Sequence, residues 1–492
     1  MYYICIDLSK YKMKKIQKLF GREKEIEIID RILSSNQASF LAVYGRRRVG
    51  KTFLIRQYLK PNIIFDFSGT KDGENEQQLT NFFDEYTKRT KGKLETVPPK
   101  SWHEAFRYLA KYIISLSNKK GKQVVFIDEM PWIDTPKSQF IQAFEFFWNQ
   151  YIADLDNVLL IACGSASSWI KKNLINARGG LYNRVTHRIK LMPFNLHETE
   201  MFLKSNGLRL TQYQILEIYM AMGGIPFYLK ELIKGKSAVQ LIDEICFSQQ
   251  GLLQTEYGQL YHSLFRNADY HLQIIETLAT FPQGITRTNL SEKTKISQGT
   301  LSRTLEELID CDFISIYMPF ANKKKDAIYK LTDLYSLFYL KFIKGNKGKS
   351  NWEQLTNMQT YKAWSGYAFE NICILHINQI KNALGISGIY SNTSSYKFIG
   401  NNVLPGTQID MIIDRADKVI NLCEAKFTNE NFAITKNYAA QIRLKNSVFR
   451  QATQTKKATF NTMITTYPAI KNEYYLENIQ SDITMDKLFK PE

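Results

Sequence analysis

The stretch that most constrains this chain is Gly45-Arg46-Arg47-Arg48-Val49-Gly50-Lys51-Thr52. The apolar run Ser39–Tyr44 before it reads as a buried strand, and Phe53–Leu59 after it as the opening of a helix. A strand, a loop of form G-x-x-x-x-G-K-[ST] and a helix make a phosphate-binding loop. Its glycines let the backbone curl until N–H groups point at phosphate oxygens, and the helix N-terminus adds a partial positive charge. Lys51 is expected to reach the β- and γ-phosphates and Thr52 to offer its hydroxyl to Mg²⁺. A bound nucleoside triphosphate is therefore expected along Gly45, Arg46, Arg47, Arg48, Val49, Gly50, Lys51, Thr52 and Phe53.

At 492 residues the chain has room for about three domains. Its 44% hydrophobic and 13% aromatic content is ample for packed cores and excludes a disordered chain. The formal charge of +18 favours an anionic partner, nucleic acid being the commonest, or reflects a generally basic solvated surface. Six scattered cysteines without a C-x-x-C pair point to reduced thiols and a cytoplasmic setting. The longest aliphatic runs, such as Val158–Cys163, are strand length, so no membrane span is expected. Met1–Ile6 lacks a basic flank, which argues against a signal peptide, and residues 1–18 read as a basic leader.

Within residues 19–195, Ile26, Ile29, Ile32 and Leu33 recur at helical spacing, Ile63–Phe67 reads as a second strand, and Trp102–Leu116 as a helix. Phe82–Lys100 is polar and contains proline, and reads as a loop or insert. Val124-Val-Phe-Ile-Asp128-Glu129 suits a strand buried on both faces with ligand groups at its C-terminal end. Asp128 is expected to hold the Mg²⁺ shell and Glu129 to polarise an attacking water. Ser165, after the strand-like Val158–Cys163, is placed to sense the γ-phosphate. Arg184 and Arg188 precede another short strand; either one stabilises transition-state charge, in cis or from a neighbouring copy in a homo-oligomer, or both are ordinary surface residues.

Phe20-Gly21-Arg22-Glu23, the phosphate loop, Phe126–Glu129, Gly164-Ser165, Leu191–Phe194 and Gly223–Pro226 occur in an order that resembles the archaeal-type ATPases. That family lies near the STAND branch of the AAA+-like P-loop proteins. The resemblance covers about residues 19 to 250. It implies an α/β fold, a P-loop NTPase parallel sheet with a helical lid at 196–267. It further implies ATP as the nucleotide, with adenine contacts from Phe20, Gly21 and Arg22 and from Pro226. Turnover in such proteins often serves a switch.

Residues 249–267 read as a connection. Three short helical stretches follow, His271–Phe281, Thr288–Lys295 and Ser297–Ile309, and then two strand-like runs flanking Asn322–Asp326. Residues 268–344 thus resemble a winged helix-turn-helix. One reading has Gln298, Thr300, Ser302 and Arg303 in a DNA major groove with Lys323–Lys325 on phosphates; the other uses the segment for packing or partner contact.

Residues 345–351 read as a linker. Beyond them Glu370 lies on a helix, Asp410 on a strand, and Glu424 and Lys426 two apart on the next strand, hence on one face. Two carboxylates and a lysine converging at a sheet edge bind Mg²⁺ and orient a water. This set resembles a PD-(D/E)XK nuclease arrangement over residues 352–492, an α/β restriction-endonuclease-like domain. Ile409 stands before Asp410 where that family often has proline. Asp410 and Glu424 are the implied metal ligands, with Glu370 and Lys426 catalytic and Gln441 accessory. Two functions stay open on these residues: an ATP-regulated protein that binds and cleaves DNA, and an ATP-dependent switch whose last domain does not cleave.

Overall fold

The computed structural model describes residues 19–116, 120–265, 267–320, 327–346, 348 and 350–492. The basic leader and the lysines at 323–325 lie outside the described residues. The chain divides into two compact units, one formed by residues up to 44 with 50–165 and 169–191, the other by 45–49, 166–168 and 192–492.

The first unit is built on five strands: β1 (Ser39–Tyr44), β2 (Ile63–Ser68), β3 (Gln123–Asp128), β4 (Val158–Gly164) and β5 (His187–Lys190). They lie in the order β2-β3-β4-β1-β5, all parallel. Every residue of β3 and β4 is buried, which is why Val124–Ile127 and Val158–Cys163 read as apolar runs. An aromatic cluster that includes Phe40, Phe82, Trp102, Phe106, Phe140, Phe144 and Phe147 fills one side of the sheet. Each such ring contributes roughly 1.5–3 kcal/mol by leaving water. The expected loop at 82–100 is corrected in its first half: Asn75–Thr90 is a helix. Leu79, Phe82 and Tyr86 follow one another at three and four residues and supply its buried stripe. Arg188, expected before the last strand, lies within β5.

The second unit opens with helices Leu196–Ser205, Gln212–Met222, Pro226–Leu229 and Ala238–Cys246. Three of them start on capping boxes, Asn195/Glu198, Thr211/Gln214 and Ser237/Gln240. Gly224 is fixed by close approach: a Cβ there would meet the Phe194 carbonyl oxygen at 1.8 Å. That carbonyl accepts from Tyr219 Oη at 2.9 Å, and Phe194 N–H donates to Gly224 O at 2.7 Å. The motifs around Phe194 and Gly224 are therefore two halves of one backbone contact.

The expected connection at 249–267 is also corrected. Leu252–His262 is a helix burying Leu253, Tyr257, Leu260 and Tyr261. Helices Asp269–Ala279, Arg287–Thr294 and Gln298–Asp310 follow, with a small antiparallel sheet of β6 (Ile285–Thr286), β7 (Ile314–Tyr317) and β8 (Ile328–Leu331) in the order β6-β8-β7.

After helix Gln359–Leu375 comes a second five-stranded sheet containing β9 (Ser391–Phe398), β10 (Thr407–Arg415) and β11 (Val419–Lys426). β12 (Phe432–Ala433) lies apart from it and precedes helix Lys436–Thr453 and β13 (Ala458–Thr465). β14 (Ala469–Ile470) pairs with β12, and β15 (Ser481–Thr484) completes the larger sheet in the order β15-β13-β11-β10-β9. β9, β10 and β11 are antiparallel, whereas β11, β13 and β15 are parallel. The pairing of β10 with β9 shifts register between Ile409 and Ile412, so Asp410 sits on an irregularity of the strand. Among the described residues no helix is long and apolar enough to cross a membrane.

Candidate functional site

The end of β1 leads through the phosphate loop, whose residues 45–49 are counted with the second unit, into helix Lys51–Tyr58 of the first. Gly50, the N-cap, has φ 94°, a left-handed conformation that glycine adopts without steric cost. Lys51 is buried, and its ammonium donates to Ser165 Oγ at 3.0 Å. Ser165 Oγ donates to Glu129 Oε1 at 2.7 Å, and Ser165 N–H to Glu129 Oε2 at 3.2 Å. Thr52 Oγ1 donates to Asp128 Oδ2 at 2.7 Å. The ends of β3 and β4 and the first turn of one helix thus bring Lys51, Thr52, Asp128, Glu129 and Ser165 into one connected set.

Glu129 holds φ 47°, a conformation costly for a residue with a Cβ and frequent where surroundings fix a side chain for function. The donor set suits a magnesium nucleotide. Thr52 and Asp128 offer two hard oxygens already within hydrogen-bond distance, and Lys51 supplies a positive charge beside them.

The other expected contacts are dispersed. Arg22 is buried, with Nη1 3.9 Å from Glu25 Oε1, and Gly21 has φ 62°. Phe53 and Arg47 are exposed. Arg184 is exposed, its Nε donating to Gly180 O at 3.4 Å. In the second unit, Pro226 opens helix Pro226–Leu229. The Arg46 and Arg48 side chains are turned to carboxylates, Arg46 to Asp333 and Arg48 to Glu256.

The second unit also gathers the C-terminal acids. Asp410 Oδ2 accepts from Ala425 N–H at 3.0 Å, which ties the carboxylate to the strand bearing Glu424. Both Glu424 oxygens accept from Lys445 Nζ, at 2.6 and 2.8 Å, and Tyr438 Oη donates to Oε2 at 3.4 Å. Lys426 Nζ lies 5.2 Å from the centre of the Tyr438 ring. A small cavity of about 50 Å³ is lined by Glu370, Asp410 and Lys330, the last from β8.

Burial, then Asp410, pushes the Glu370 carboxyl up to about 7 against the pull of Lys330 and Lys426. Burial and Asp410 also raise Glu424 against Lys445. Among the described residues no group of three or more His, Cys, Asp or Glu is spaced to hold a metal ion. As the side chains stand, Glu424 is neutralised by Lys445, and a cation at Asp410 and Glu424 would have to displace that ammonium.

Lys445 is one of six Lys/Arg residues at 427–457, and no motif singles it out. Its signal is the seven-residue step from Tyr438, which puts both on one stripe of helix Lys436–Thr453. Gln441, the expected accessory residue, is exposed. On helix Gln298–Asp310, Gln298 is engaged by Arg287 and by Ser291, while Arg303 is 70% exposed.

Residues 19–232 match the family model of an ATPase domain predominantly from Archaea. The chain carries an archaeal-type P-loop ATPase domain. An uncharacterized protein of Methanocaldococcus jannaschii is 24% identical over 419 residues, 82% of this chain and 87% of that protein. An uncharacterized ATP-binding protein of the same organism is 42% identical over 48 residues, 10% of this chain and 81% of its own length. Among solved structures, a Walker-type ATPase of Pyrococcus abyssi matches with a TM-score of 0.47 at 18% identity, over 66% of this chain and 96% of that one. Lys51, Thr52, Asp128, Glu129 and Ser165 fall within the matched residues 19–232, and the C-terminal acids lie outside them.

Proposed function

We propose that this ATPase uses Mg²⁺, and that its nucleotide state governs DNA binding or DNA cleavage by the residues that follow the ATPase domain. The observation that carries the hydrolytic half is the linked pair of contacts Lys51–Ser165–Glu129 and Thr52–Asp128. Lys51 binds the β- and γ-phosphates, and Ser165 passes between Lys51 and Glu129, so that a γ-phosphate arriving at Lys51 frees Glu129 to orient a water. Thr52 and Asp128 hold the ion, which when bound neutralises charge on the phosphates. Arg184, being exposed, supplies its guanidinium to a neighbouring copy in a homo-oligomer.

The DNA half is supported by the +18 charge and by the order of elements around the acids. A helix bearing Glu370, three antiparallel strands bearing Asp410, Glu424 and Lys426, then a helix crossing to a parallel strand, is the order the nuclease resemblance implies. The helices and small sheet at 269–331 serve as a winged helix presenting Arg303 to DNA. The Lys445–Glu424 pair favours a second reading, a switch that holds DNA without cutting it.

Wild type, Lys51→Ala and Glu424→Ala are incubated with DNA, ATP and Mg²⁺, with a chelator control. Cleavage lost in Glu424→Ala supports the nuclease reading. Binding that follows nucleotide state without any cleavage supports the switch. DNA binding by wild type and Lys51→Ala that is equal with and without ATP sinks both.

A further inference from the structure

Gly45–Val49 belongs to the same compact unit as residues 192–492, and within that unit two arginines of the phosphate loop end on carboxylates. Arg46 Nη1 donates to Asp333 Oδ1 at 2.5 Å, with the two side chains 3% and 5% exposed. Arg48 Nη2 donates to Glu256 Oε2 and Arg48 Nε lies beside Oε1, both at 2.7 Å, with Glu256 1% exposed. Each guanidinium also lies over an aromatic ring, Arg46 4.6 Å from the centre of Phe313 and Arg48 4.0 Å from that of Phe227.

The carboxylates are pinned in turn. Asp333 Oδ2 accepts from Ser336 N–H at 2.9 Å and Ser336 Oγ at 2.5 Å, and Ser336 Oγ lies 2.8 Å from Tyr261 Oη. Glu256 Oε1 accepts from Tyr228 Oη at 3.1 Å.

Nothing in the phosphate-loop pattern demands arginine at these two positions, since its phosphate contacts come from backbone N–H groups and from Lys51. Arg46 is stripped of water and meets Asp333 through one N–H, whereas Arg48, partly exposed, meets both Glu256 oxygens with its fork; removing either carboxylate takes a counter-charge away from the guanidinium it holds. Arg48 also holds φ 71°, a conformation a residue with a Cβ keeps only where its surroundings over-determine it. We propose that Glu256 and Asp333 are positioning residues for the nucleotide: by holding Arg48 and Arg46 they set the shape of the phosphate loop. The domain match ends at residue 232, so the loop's shape is set from beyond it. By linkage, nucleotide in the loop stabilises the same placement of Glu256 and Asp333.

The proposal rests on ATP binding by the loop, for which Lys51→Ala is the control. ATP binding is measured by calorimetry on the full chain for wild type, Glu256→Gln, Asp333→Asn, Arg48→Gln, Arg46→Gln and the doubles Arg48→Gln/Glu256→Gln and Arg46→Gln/Asp333→Asn. Far-UV circular dichroism and the nucleotide-free melting temperature report the fold. Each single variant is expected to weaken ATP by about tenfold, and each double no further than its worse single, because the two residues act as one unit. Unchanged affinity in folded Glu256→Gln and Asp333→Asn, or losses that add in the doubles, overturns the proposal. Where an uncharged variant does not fold, Arg48→Lys and Arg46→Lys replace it. Both keep the charge, while Arg48→Lys loses the fork on Glu256 and Arg46→Lys the guanidinium N–H on Asp333, so weaker ATP binding supports the proposal and unchanged binding overturns it. Wild type that binds no ATP refutes the ATP-binding reading itself.

Discussion

Glu129 is held in a left-handed backbone conformation with both carboxylate oxygens on Ser165, whose hydroxyl also takes a hydrogen bond from Lys51. On the proposed reading this arrangement would sense what Lys51 is bound to, because an oxygen that drew the ammonium away would loosen Ser165 as well. Glu129→Gln keeps the size and loses the base. It is expected to bind ATP as wild type does while hydrolysis slows by about 10²- to 10⁴-fold, read by phosphate release against nucleotide titration. Two glycines test the packing at the same scale. Gly224→Ala drives a methyl into the Phe194 carbonyl and is expected to destabilise the fold by about 2–3 kcal/mol. Gly258 lies inside helix Leu252–His262 with open space where a Cβ would point, and Gly258→Ala is expected to stabilise by about 0.5–1 kcal/mol. Guanidinium unfolding of the pair reads both signs; two changes in the same direction would contradict the contrast.

At the scale of elements, helix Leu196–Ser205 begins on a histidine from far along the chain. His376 Nε2 accepts from Leu196 N–H at 2.9 Å and Nδ1 donates to Ile372 O at 2.8 Å, so the ring is neutral and satisfies a helix-end donor. Burial lowers its pKa from 6.5 to about 4. Between these values the unfolded chain takes up a proton that the fold refuses. The contribution of His376 is therefore intact above pH 6.5 and shrinks as pH falls toward 4, by about 3 kcal/mol at most. Glu217 and Glu370, each raised by burial to about 7, act oppositely and add stability as pH falls from 7. The difference between wild type and His376→Gln isolates the imidazole: wild type should lose stability relative to the variant from pH 6.5 to 4, and parallel profiles would remove the assignment. Contacts of this kind mark where sequence reading stops. The strands of the first unit were legible because the interiors of β1, β3 and β4 are apolar. Helices Asn75–Thr90 and Leu252–His262 were not, because polar outward faces, and in the second an internal glycine, masked their buried stripes. Lys445 on Glu424, Arg46 on Asp333 and His376 on Leu196 join positions 21, 287 and 180 residues apart, and no local pattern encodes them.

For the molecule as a whole the net charge of +18 is the property that most directly tests the DNA half of the proposed function. Of the six basic residues at 427–457, two are engaged by carboxylates: Lys445 faces Glu424, and Lys457 donates to Asp414. Lys436 and Arg450 are exposed on helix Lys436–Thr453. A cation that displaces a counterion from a phosphate changes how affinity depends on salt, whereas one already neutralised by a neighbour does not. On DNA of fixed sequence, the logarithm of the binding constant should fall with the logarithm of salt concentration by about 0.9 for each phosphate contacted. Lys436→Ala and Arg450→Ala should each reduce that slope by about one unit, while Lys457→Ala leaves it as in wild type. Fluorescence anisotropy across a salt series measures all four proteins. Equal slopes throughout would show that this helix does not lie against the phosphates, and would place the DNA contact elsewhere or remove it.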